Sequence, residues 1–363
     1  MINGRPTQAI IDLAALQHNL MRIKTYAPAS KILAVVKANG YGHGSVTIAQ
    51  AIADRVHGFG VACLAEALIL RQAGINQRIL ILEGFFKPQE LPLISGQELD
   101  IVVHSFAQIA ALNSLSLPKP IVVWLKIDTG MHRLGFAPDQ VEEAVRALSW
   151  NPNIRKPINW MTHFSDADDF NSTKTQLQLQ IFGELSQQAG AGLKTLANSA
   201  GIVAWPNTHA DYVRPGIMLY GVSPMLRKTA ADFDLKPVMT LCTELIAINE
   251  VKAGDTVGYG STWTAPFDMR IGIAAIGYGD GYPLQAKSGT PVLLNQRRVQ
   301  LVGRVSMDML AIDLSTQPEA KIADPVVLWG KGLPIEEVAM WANTIPYELF
   351  CSVSRRVEFK IIP

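Results

Sequence analysis

Cysteine is scarce in this sequence. The three cysteines, Cys63, Cys242 and Cys351, are odd in number and lie far apart in a chain of 363 residues. A disulfide framework needs paired cysteines, and a metal or redox site of the C-x-x-C type needs two of them three positions apart. The sequence therefore predicts no disulfide scaffold, no such metal site, and synthesis in a reducing compartment.

Long hydrophobic runs and excess charge of one sign are also missing. No apolar run reaches the ~18 residues of a membrane-spanning helix, and residues 1–20 lack the basic start, apolar core and cleavage site of a signal peptide. The chain has 32 basic and 31 acidic side chains, a net charge of +1, and no run of five like charges. We therefore expect a cytoplasmic protein that binds neither membranes nor nucleic acids and whose ligand is small.

What the chain does contain is a series of short runs of branched apolar residues. Eight of them come first, at residues 31–37, 58–62, 78–83, 100–104, 120–127, 158–163, 195–199 and 212–221. Helical spacing is found before the first run, at Leu13, Leu16 and Leu20, and then at residues 45–55, 63–74, 105–115, 138–150 and 172–190. Nearly continuous hydrophobicity is typical of parallel strands covered on both faces. Eight such units predict an α/β fold with a closed (β/α)8 TIM barrel; an open doubly wound sheet is the alternative.

The pattern changes towards the end of the chain. From residue 237 onward strand-like runs dominate, and one helical segment remains, at residues 335–344. We predict a barrel domain over residues 10–228 and a mainly β domain over residues 229–363, with residues 1–9 as a candidate further strand of the second domain.

Polar and reactive side chains end several of the eight runs. They are Lys37, Lys126, His163, Asn198, Ser199 and Arg214. Barrel enzymes place their active sites at the carboxyl ends of the strands and often bind phosphate after strands seven and eight. Gly216, just after the last of these residues, would let a phosphate approach the backbone closely.

Lys37 opens the unusual segment "KANGYGHG" and has two possible roles. Desolvation at the end of a buried strand favours the neutral amine, which can form a Schiff base with a carbonyl. An isolated lysine would more simply extend to the barrel rim. The glycines favour the first role, because they free the backbone around the lysine, while Tyr41 supplies a hydroxyl for an anionic group.

The segment "AVVKANGYGHG" resembles the pyridoxal-phosphate (PLP) lysine motif of the alanine racemases, barrel enzymes of fold type III. Further matches follow in the family's order at residues 125–136, 162–169, 196–201, 211–224, 235–241, 257–263, 275–283, 303–309 and 347–357. Ten motifs in the same order are highly specific.

The resemblance implies PLP as the cofactor and two catalytic bases. Lys37 would hold PLP and act as the base on one face of the substrate Cα, and Tyr259 would act on the other face. Racemisation needs both, because a single base tends to return the proton to the face that it left. Without this context, a tyrosine between glycines is usually a packed aromatic at a bend. Tyr259 would contact His163, and His163 would contact Arg214, which would leave the pyridine nitrogen unprotonated because a guanidinium accepts no hydrogen bond.

The resemblance also assigns the remaining site residues. The expected cofactor-binding residues are Lys37, Tyr41, His163, Asn198, Ser199, Arg214, Gly216 and Ile217, and the expected substrate-binding residues are Arg133, Met307 and Asp308. Asp168 and Tyr278 would line the access channel. Lys126 corresponds to a position that is often carbamylated, where the added carboxylate steadies Arg133. No metal is expected.

The family would act as a head-to-tail homodimer in which the tyrosine comes from the neighbouring subunit. The expected activity is the interconversion of L- and D-alanine for peptidoglycan synthesis. A racemase of the same fold for serine, lysine or several amino acids is the alternative. A PLP-dependent decarboxylase is disfavoured because it would need a late cysteine–glutamate–serine motif, whereas "FCSVS" has no acid directly after Cys351. A single-domain PLP-binding barrel would lack Tyr259. Arg355 and Leu284 depart from the family pattern of tyrosine and arginine.

Overall fold

The fold is described from a computed structural model, which describes residues 4–188 and 191–363. Its contacts divide the chain into two compact units. We call residues 20–219 with 224–228 the barrel unit, and residues 4–19, 220–223 and 229–363 the sheet unit.

The barrel unit contains eight parallel strands in a closed ring. They are β2 (Lys31–Val35), β3 (Gly58–Val61), β4 (Arg78–Ile81), β5 (Asp100–Val103), β6 (Ile121–Lys126), β7 (Ile154–Met161), β8 (Lys194–Thr195) and β9 (Tyr212–Val213); β1 belongs to the sheet unit and is described below. The ring closes where Lys31 and Ile32 pair with Tyr212 and Val213. The predicted (β/α)8 barrel is therefore confirmed.

Side chains fill the interior of the barrel. Six buried residues from six different strands form one cluster: Leu33, Leu80, Val102, Trp124, Met161 and Tyr212. Trp124 also donates a hydrogen bond of 3.0 Å from Nε1 to Asp100, whose carboxylate lies 3.2 Å from Arg78 Nε. Because the interior is packed, a ligand has room only beyond the strand ends.

Helical segments alternate with the barrel strands along the chain. The first of them begins in the sheet unit, and the second, at Lys37–Tyr41, has left-handed residues inside it. They are α1 (Leu13–Tyr26), α2 (Lys37–Tyr41), α3 (Ser45–Ile52), α4 (Leu64–Gln72), α5 (Leu91–Gly96), α6 (Phe106–Asn113), α7 (Val141–Ser149), α8 (Lys174–Gln188) and α9 (Ser199–Ala204). The predicted strands at 195–199 and 212–221 are wrong beyond their first residues. Ser199 begins a helix, and Ile217–Tyr220 form a 3-10 turn, because buried apolar residues do not by themselves distinguish a strand from a short helix.

The sheet unit is mainly β, as predicted. Its strands are β1 (Gln8–Asp12), β10 (Met239–Val251), β11 (Thr256–Val257), β12 (Trp263–Thr264), β13 (Met269–Ala274), β14 (Pro291–Leu294), β15 (Arg297–Val302), β16 (Leu310–Asp313), β17 (Pro325–Trp329) and β18 (Glu358–Ile362). Two helices, α10 (Ile335–Trp341) and α11 (Pro346–Ser352), lie near its end, and the sequence predicted only the first of them.

Strand β1 pairs with β10 on one side, antiparallel, and with β18 on the other, parallel. The predicted boundary after residue 228 stays a prediction, because the two units interleave there: residues 220–223 pack with the sheet unit and 224–228 with the barrel unit. Among the helices that the structure describes, none has both the length and the apolar composition to cross a bilayer.

Candidate active site

The segment that carries Lys37 turns in the left-handed sense. After β2, Ala38, Asn39 and Gly40 have φ of 51°, 53° and 64°. Tyr41 also has a positive φ, of 51°. Residues other than glycine rarely adopt this backbone conformation. A run of such strained residues persists only where surrounding contacts stabilise it.

Glu66 holds this segment from the first turn of α4. One carboxylate oxygen accepts the N–H of Ala38 and the other accepts the N–H of Ala62, both at 2.8 Å. Asn39 adds a side-chain bond to the N–H of Ser45 at 3.0 Å. The half-buried Lys37 therefore projects from a backbone that is fixed at both ends. No sequence pattern points to Glu66, because an acidic residue in the first turn of a helix is common.

Arg214 is buried beside the ends of β7 and β8, with 4% of its surface exposed. Its Nη2 donates to the carbonyls of Thr162 at 2.8 Å and Leu196 at 3.0 Å, and its Nη1 donates to the hydroxyl of Thr195 at 2.7 Å. Burial lowers its pKa to about 9. The guanidinium therefore keeps its charge at neutral pH.

His163 follows β7 and lies 3.3 Å from Arg214, measured from Nδ1 to Nη2. A guanidinium can only donate, so Nδ1 accepts and carries no proton. Burial, and then the charges of Arg214 and Lys126, hold the pKa of His163 well below its usual value. The ring is therefore neutral, with its proton on Nε2.

Lys126 ends β6 and is buried, with 7% of its surface exposed. Its amine makes no hydrogen bond to any residue that the structure describes. Burial is the largest cause that lowers its pKa to about 8, followed by the positive charges of Arg214, Arg133 and Lys37. Lys126 is thus a buried amine that is partly neutral near pH 8, and it lies close enough to Arg214, Arg133 and Lys37 for their charges to lower its pKa.

Ser199, Gly216 and Tyr41 meet although they come from distant parts of the sequence. The hydroxyl oxygen of Ser199 accepts the N–H of Gly216 at 2.8 Å, while Asn198 caps α9 through the N–H of Gly201 at 2.9 Å. A Cβ on Gly216 would lie 2.5 Å from the Tyr41 hydroxyl. Glycine is therefore required at position 216 for this close approach. Together, the Tyr41 and Ser199 hydroxyls, the backbone at Gly216 and the start of α9 form one polar group of atoms.

Three other predicted residues of the barrel unit lie around this cluster. Arg133 is exposed in the loop after β6, and Ile217 is fully buried at the start of its 3-10 turn. The backbone carbonyl of Asp168 accepts the N–H of Leu226 at 3.0 Å. No hydrogen bond or ion pair within the described ranges joins Asp168 to the cluster.

The sheet unit carries the remaining predicted residues. Tyr259 is 72% exposed at the start of a 3-10 turn that follows Gly258, where φ is 79°. Tyr278 lies beside Met307 and Asp308, because its N–H donates to the carbonyl of Ser306 at 3.0 Å. In the part of the chain that is described, no hydrogen bond joins Tyr259 to this second group.

Two family models match the chain. The alanine racemase N-terminal domain matches residues 11–224, and the alanine racemase C-terminal domain matches residues 238–361. The chain belongs to the alanine racemase family. The resemblance predicted from the sequence is confirmed. Members of this family are isomerases that depend on PLP.

Individual alanine racemases are similar to the chain over nearly its whole length. The alanine racemase of Vibrio parahaemolyticus is 49% identical over 98% of this chain and 99% of the relative. The biosynthetic alanine racemase of Escherichia coli is 49% identical over 97% and 98%. The crystal structure of the biosynthetic alanine racemase from Pseudomonas aeruginosa has a TM-score of 0.96 at 45% identity and covers 99% of this chain and 100% of that chain.

His163 should stay neutral as the pH falls to about 6.5, where an ordinary histidine is half protonated. Its pKa lies below that value because burial and the neighbouring cations disfavour a second proton. Nitrogen-15 spectra of the His163 ring should show Nδ1 without a proton from neutral pH down to about 6.5. In the Arg214→Gln variant one of these cations is gone, so the pKa of His163 should move back towards its usual value. Titration of the unmodified protein's His163 near pH 6.5 would contradict this account.

Proposed function

We propose that the protein is an alanine racemase, which interconverts L- and D-alanine with PLP and supplies D-alanine for peptidoglycan synthesis in the cytoplasm. The observation that carries the proposal is full-length identity of 49% to relatives named alanine racemase, one of them described as biosynthetic. It favours alanine over serine, lysine or broad specificity. We keep residues 10–228 as the PLP-binding barrel domain and 229–363 as the second domain.

The donor set of the barrel unit suits PLP. Tyr41, Ser199, Gly216 and Ile217 would hold the phosphate. This role is supported by the close approach of Gly216 to the Tyr41 hydroxyl, where a Cβ would not fit, and by the Ser199 hydroxyl, which accepts the Gly216 N–H and has its own hydrogen to donate. Asn198 fixes the start of α9 beneath them. The amine of Lys37 would bind covalently to the carbonyl carbon of PLP. When bound, PLP withdraws electrons from the substrate Cα and makes its proton more acidic.

Arg214 would face the pyridine nitrogen of the cofactor. Its bonds to two carbonyls and a threonine hydroxyl keep the guanidinium in place, and it stays charged at neutral pH. A charged donor with no acceptor leaves the nitrogen that it contacts without a proton. His163, neutral and bonded to Arg214, would carry its Nε2 proton towards the active site.

Two bases would then move protons on opposite faces of the substrate. The Lys37 amine would take or return the proton on one face, and the Tyr259 hydroxyl on the other. The fixed backbone around Lys37 and the exposed Tyr259 hydroxyl on a glycine-flanked turn support these roles. We propose a head-to-tail homodimer in which Tyr259 of each subunit completes the site of its neighbour.

The substrate carboxylate would be bound by Arg133 and by the loop that carries Met307 and Asp308. Asp168 and Tyr278 would line the access channel. We assign no role to Arg355 or Leu284.

Purified protein loaded with PLP should convert L-alanine to D-alanine faster than any other amino acid in a panel that includes serine and lysine. The Lys37→Ala and Tyr259→Phe variants should each lose at least about a thousandfold in kcat, because each lacks one base. Chiral chromatography of the products measures this. Equal rates with serine or lysine would favour the alternative of broad specificity, and full activity of either variant would contradict the two-base assignment.

Mixing the two inactive variants tests the shared site. In a Lys37→Ala/Tyr259→Phe heterodimer, one of the two sites has both bases intact only if the tyrosine crosses between subunits. Co-expression with two different tags should therefore recover activity, up to about a quarter of that of the unmodified enzyme for random pairing. Heterodimers without activity would show that each subunit uses its own tyrosine.

Lys126 should form a carbamate with carbon dioxide, since only a neutral amine reacts and the pKa of Lys126 is about 8. Raising the pH from about 6.5 to about 8.5 increases the neutral fraction, so the carbamate signal in carbon-13 spectra with labelled bicarbonate should grow over this range. The Lys126→Met variant should lose the signal. A matched control, Lys252→Met, should keep it, because the ion pair with Asp268 raises the pKa of the exposed Lys252. A signal that survives in Lys126→Met would contradict the assignment.

A further inference from the structure

Asp280 is a completely buried carboxylate in the sheet unit, with none of its surface exposed. It accepts the N–H of Gly277 at 2.9 Å and binds two arginines. Arg5 donates to it from Nη2 at 2.7 Å and Nε at 3.2 Å, and Arg356 Nε lies 2.9 Å away. Two guanidiniums on one carboxylate leave donors and positive charge for another acceptor.

That second acceptor is Asp308 for both arginines. Arg5 Nη2 donates to the Asp308 carbonyl at 2.6 Å, and Arg356 Nη2 donates to the Asp308 carboxylate at 2.6 Å. The Asp308 carboxylate, next to the proposed site for the substrate carboxylate, is thus paired with a positive charge. This pairing reduces the repulsion that two carboxylates would otherwise have.

Three successive carbonyls of this loop are held. Ser306 accepts the N–H of Tyr278 at 3.0 Å, Met307 accepts the N–H of Gly279 at 2.8 Å, and Asp308 accepts from Arg5. The backbone N–H groups of the loop, by contrast, are not all bonded. Those of Met307 and Asp308 have no acceptor among residues 4–188 and 191–363. The loop is therefore fixed through its acceptors while its donors stay available for an anion.

Gly279 shows how closely these segments pack. A Cβ at this position would lie 2.8 Å from Arg356 Nη1 and 3.0 Å from the Met307 carbonyl. A side chain at position 279 would therefore have to displace the Arg356 guanidinium, and the glycine lets Arg356 and the loop approach the turn that carries Asp280.

We propose that Asp280 is a positioning residue for the substrate loop: through Arg5 and Arg356 it fixes Ser306–Asp308 so that the Met307 N–H can bind the substrate carboxylate. The inference rests on the proposed function and deepens it. Asp280 and the two arginines act through the loop and touch neither substrate nor cofactor.

Kinetics of the full-length, PLP-loaded enzyme test this assignment. Arg5→Gln and Arg356→Gln should each raise the KM for L-alanine about tenfold and change kcat by less than about threefold, because they loosen ground-state binding and leave the bases in place. Arg356→Lys keeps the charge and should recover part of the loss. Cofactor absorbance and the thermal midpoint show whether each variant is loaded and folded.

Arg298→Gln is the matched control. It breaks an arginine–carboxylate pair of the same length, 2.6 Å to Glu337, in the same unit and should leave KM unchanged. Loss of thermal stability without a change in KM in Arg5→Gln and Arg356→Gln would overturn the inference, since it would show a structural role only.

Amide hydrogen exchange gives a readout that does not need activity. The N–H groups of Tyr278 and Gly279, which hold the loop, should exchange faster in Arg5→Gln and Arg356→Gln than in Arg298→Gln. Unchanged exchange rates of these two amides would overturn the inference, and they would leave the result of the racemase assay unaffected.

Failure of the proposed function is distinguishable from failure of the inference. If the unmodified protein racemises no amino acid, acetate can serve as a carboxylate probe, followed by the amide chemical shift of Met307. Acetate binding that weakens in the two arginine variants would support the positioning role, and binding that is equal in all variants or absent would overturn it.

Discussion

A buried positive charge on Arg214 determines much of the chemistry at the open end of the barrel. Enclosing a guanidinium is costly unless hydrogen-bond acceptors surround it, and here two carbonyls, a hydroxyl and an imidazole nitrogen contact its two terminal nitrogens. Those four acceptors come from residues at or just after two neighbouring strands. One charge thereby connects the strand ends and fixes the tautomer of His163. The same charge is the second cause, next to burial, of the lowered pKa values of His163 and Lys126.

Strain is distributed unevenly between the two sides of this site. The segment after β2 holds four consecutive residues, Ala38–Tyr41, at positive φ, and a single carboxylate, Glu66, bonds this segment to the neighbouring loop. The segments after β8 and β9 are relaxed by comparison and rely on a capped helix start and on a glycine that approaches a tyrosine hydroxyl. The lysine side of the site is therefore the one with the more constrained backbone, which suits the role proposed for Lys37.

The barrel and the mainly β unit could be predicted from the sequence because hydrophobic runs alternate with helical spacing at regular intervals. The residues that support the site could not. Glu66 acts through backbone N–H groups, which leave no pattern in side chains, and Arg5 meets Asp280 across 275 positions. Short elements were missed for another reason: Ser199–Ala204 and Pro346–Ser352 span fewer than two full helical turns, so periodicity has nothing to repeat. The assignments of Lys37, Tyr259 and the other site residues stay predictions.

The place of strand β1 has a consequence for biosynthesis. It occupies an interior position of its sheet, between β10 and β18, so both of its partners are synthesised much later than β1 itself. All strands of the barrel lie between residues 31 and 213 and need no later segment for their pairing. The barrel strands can therefore pair while synthesis of the sheet unit continues. Strand β1 therefore has no neighbour on either side until residues 239–251 have been made, and its second edge stays open until residues 358–362 follow. An open strand edge can pair with other chains, so this topology requires that the edge be shielded in the meantime.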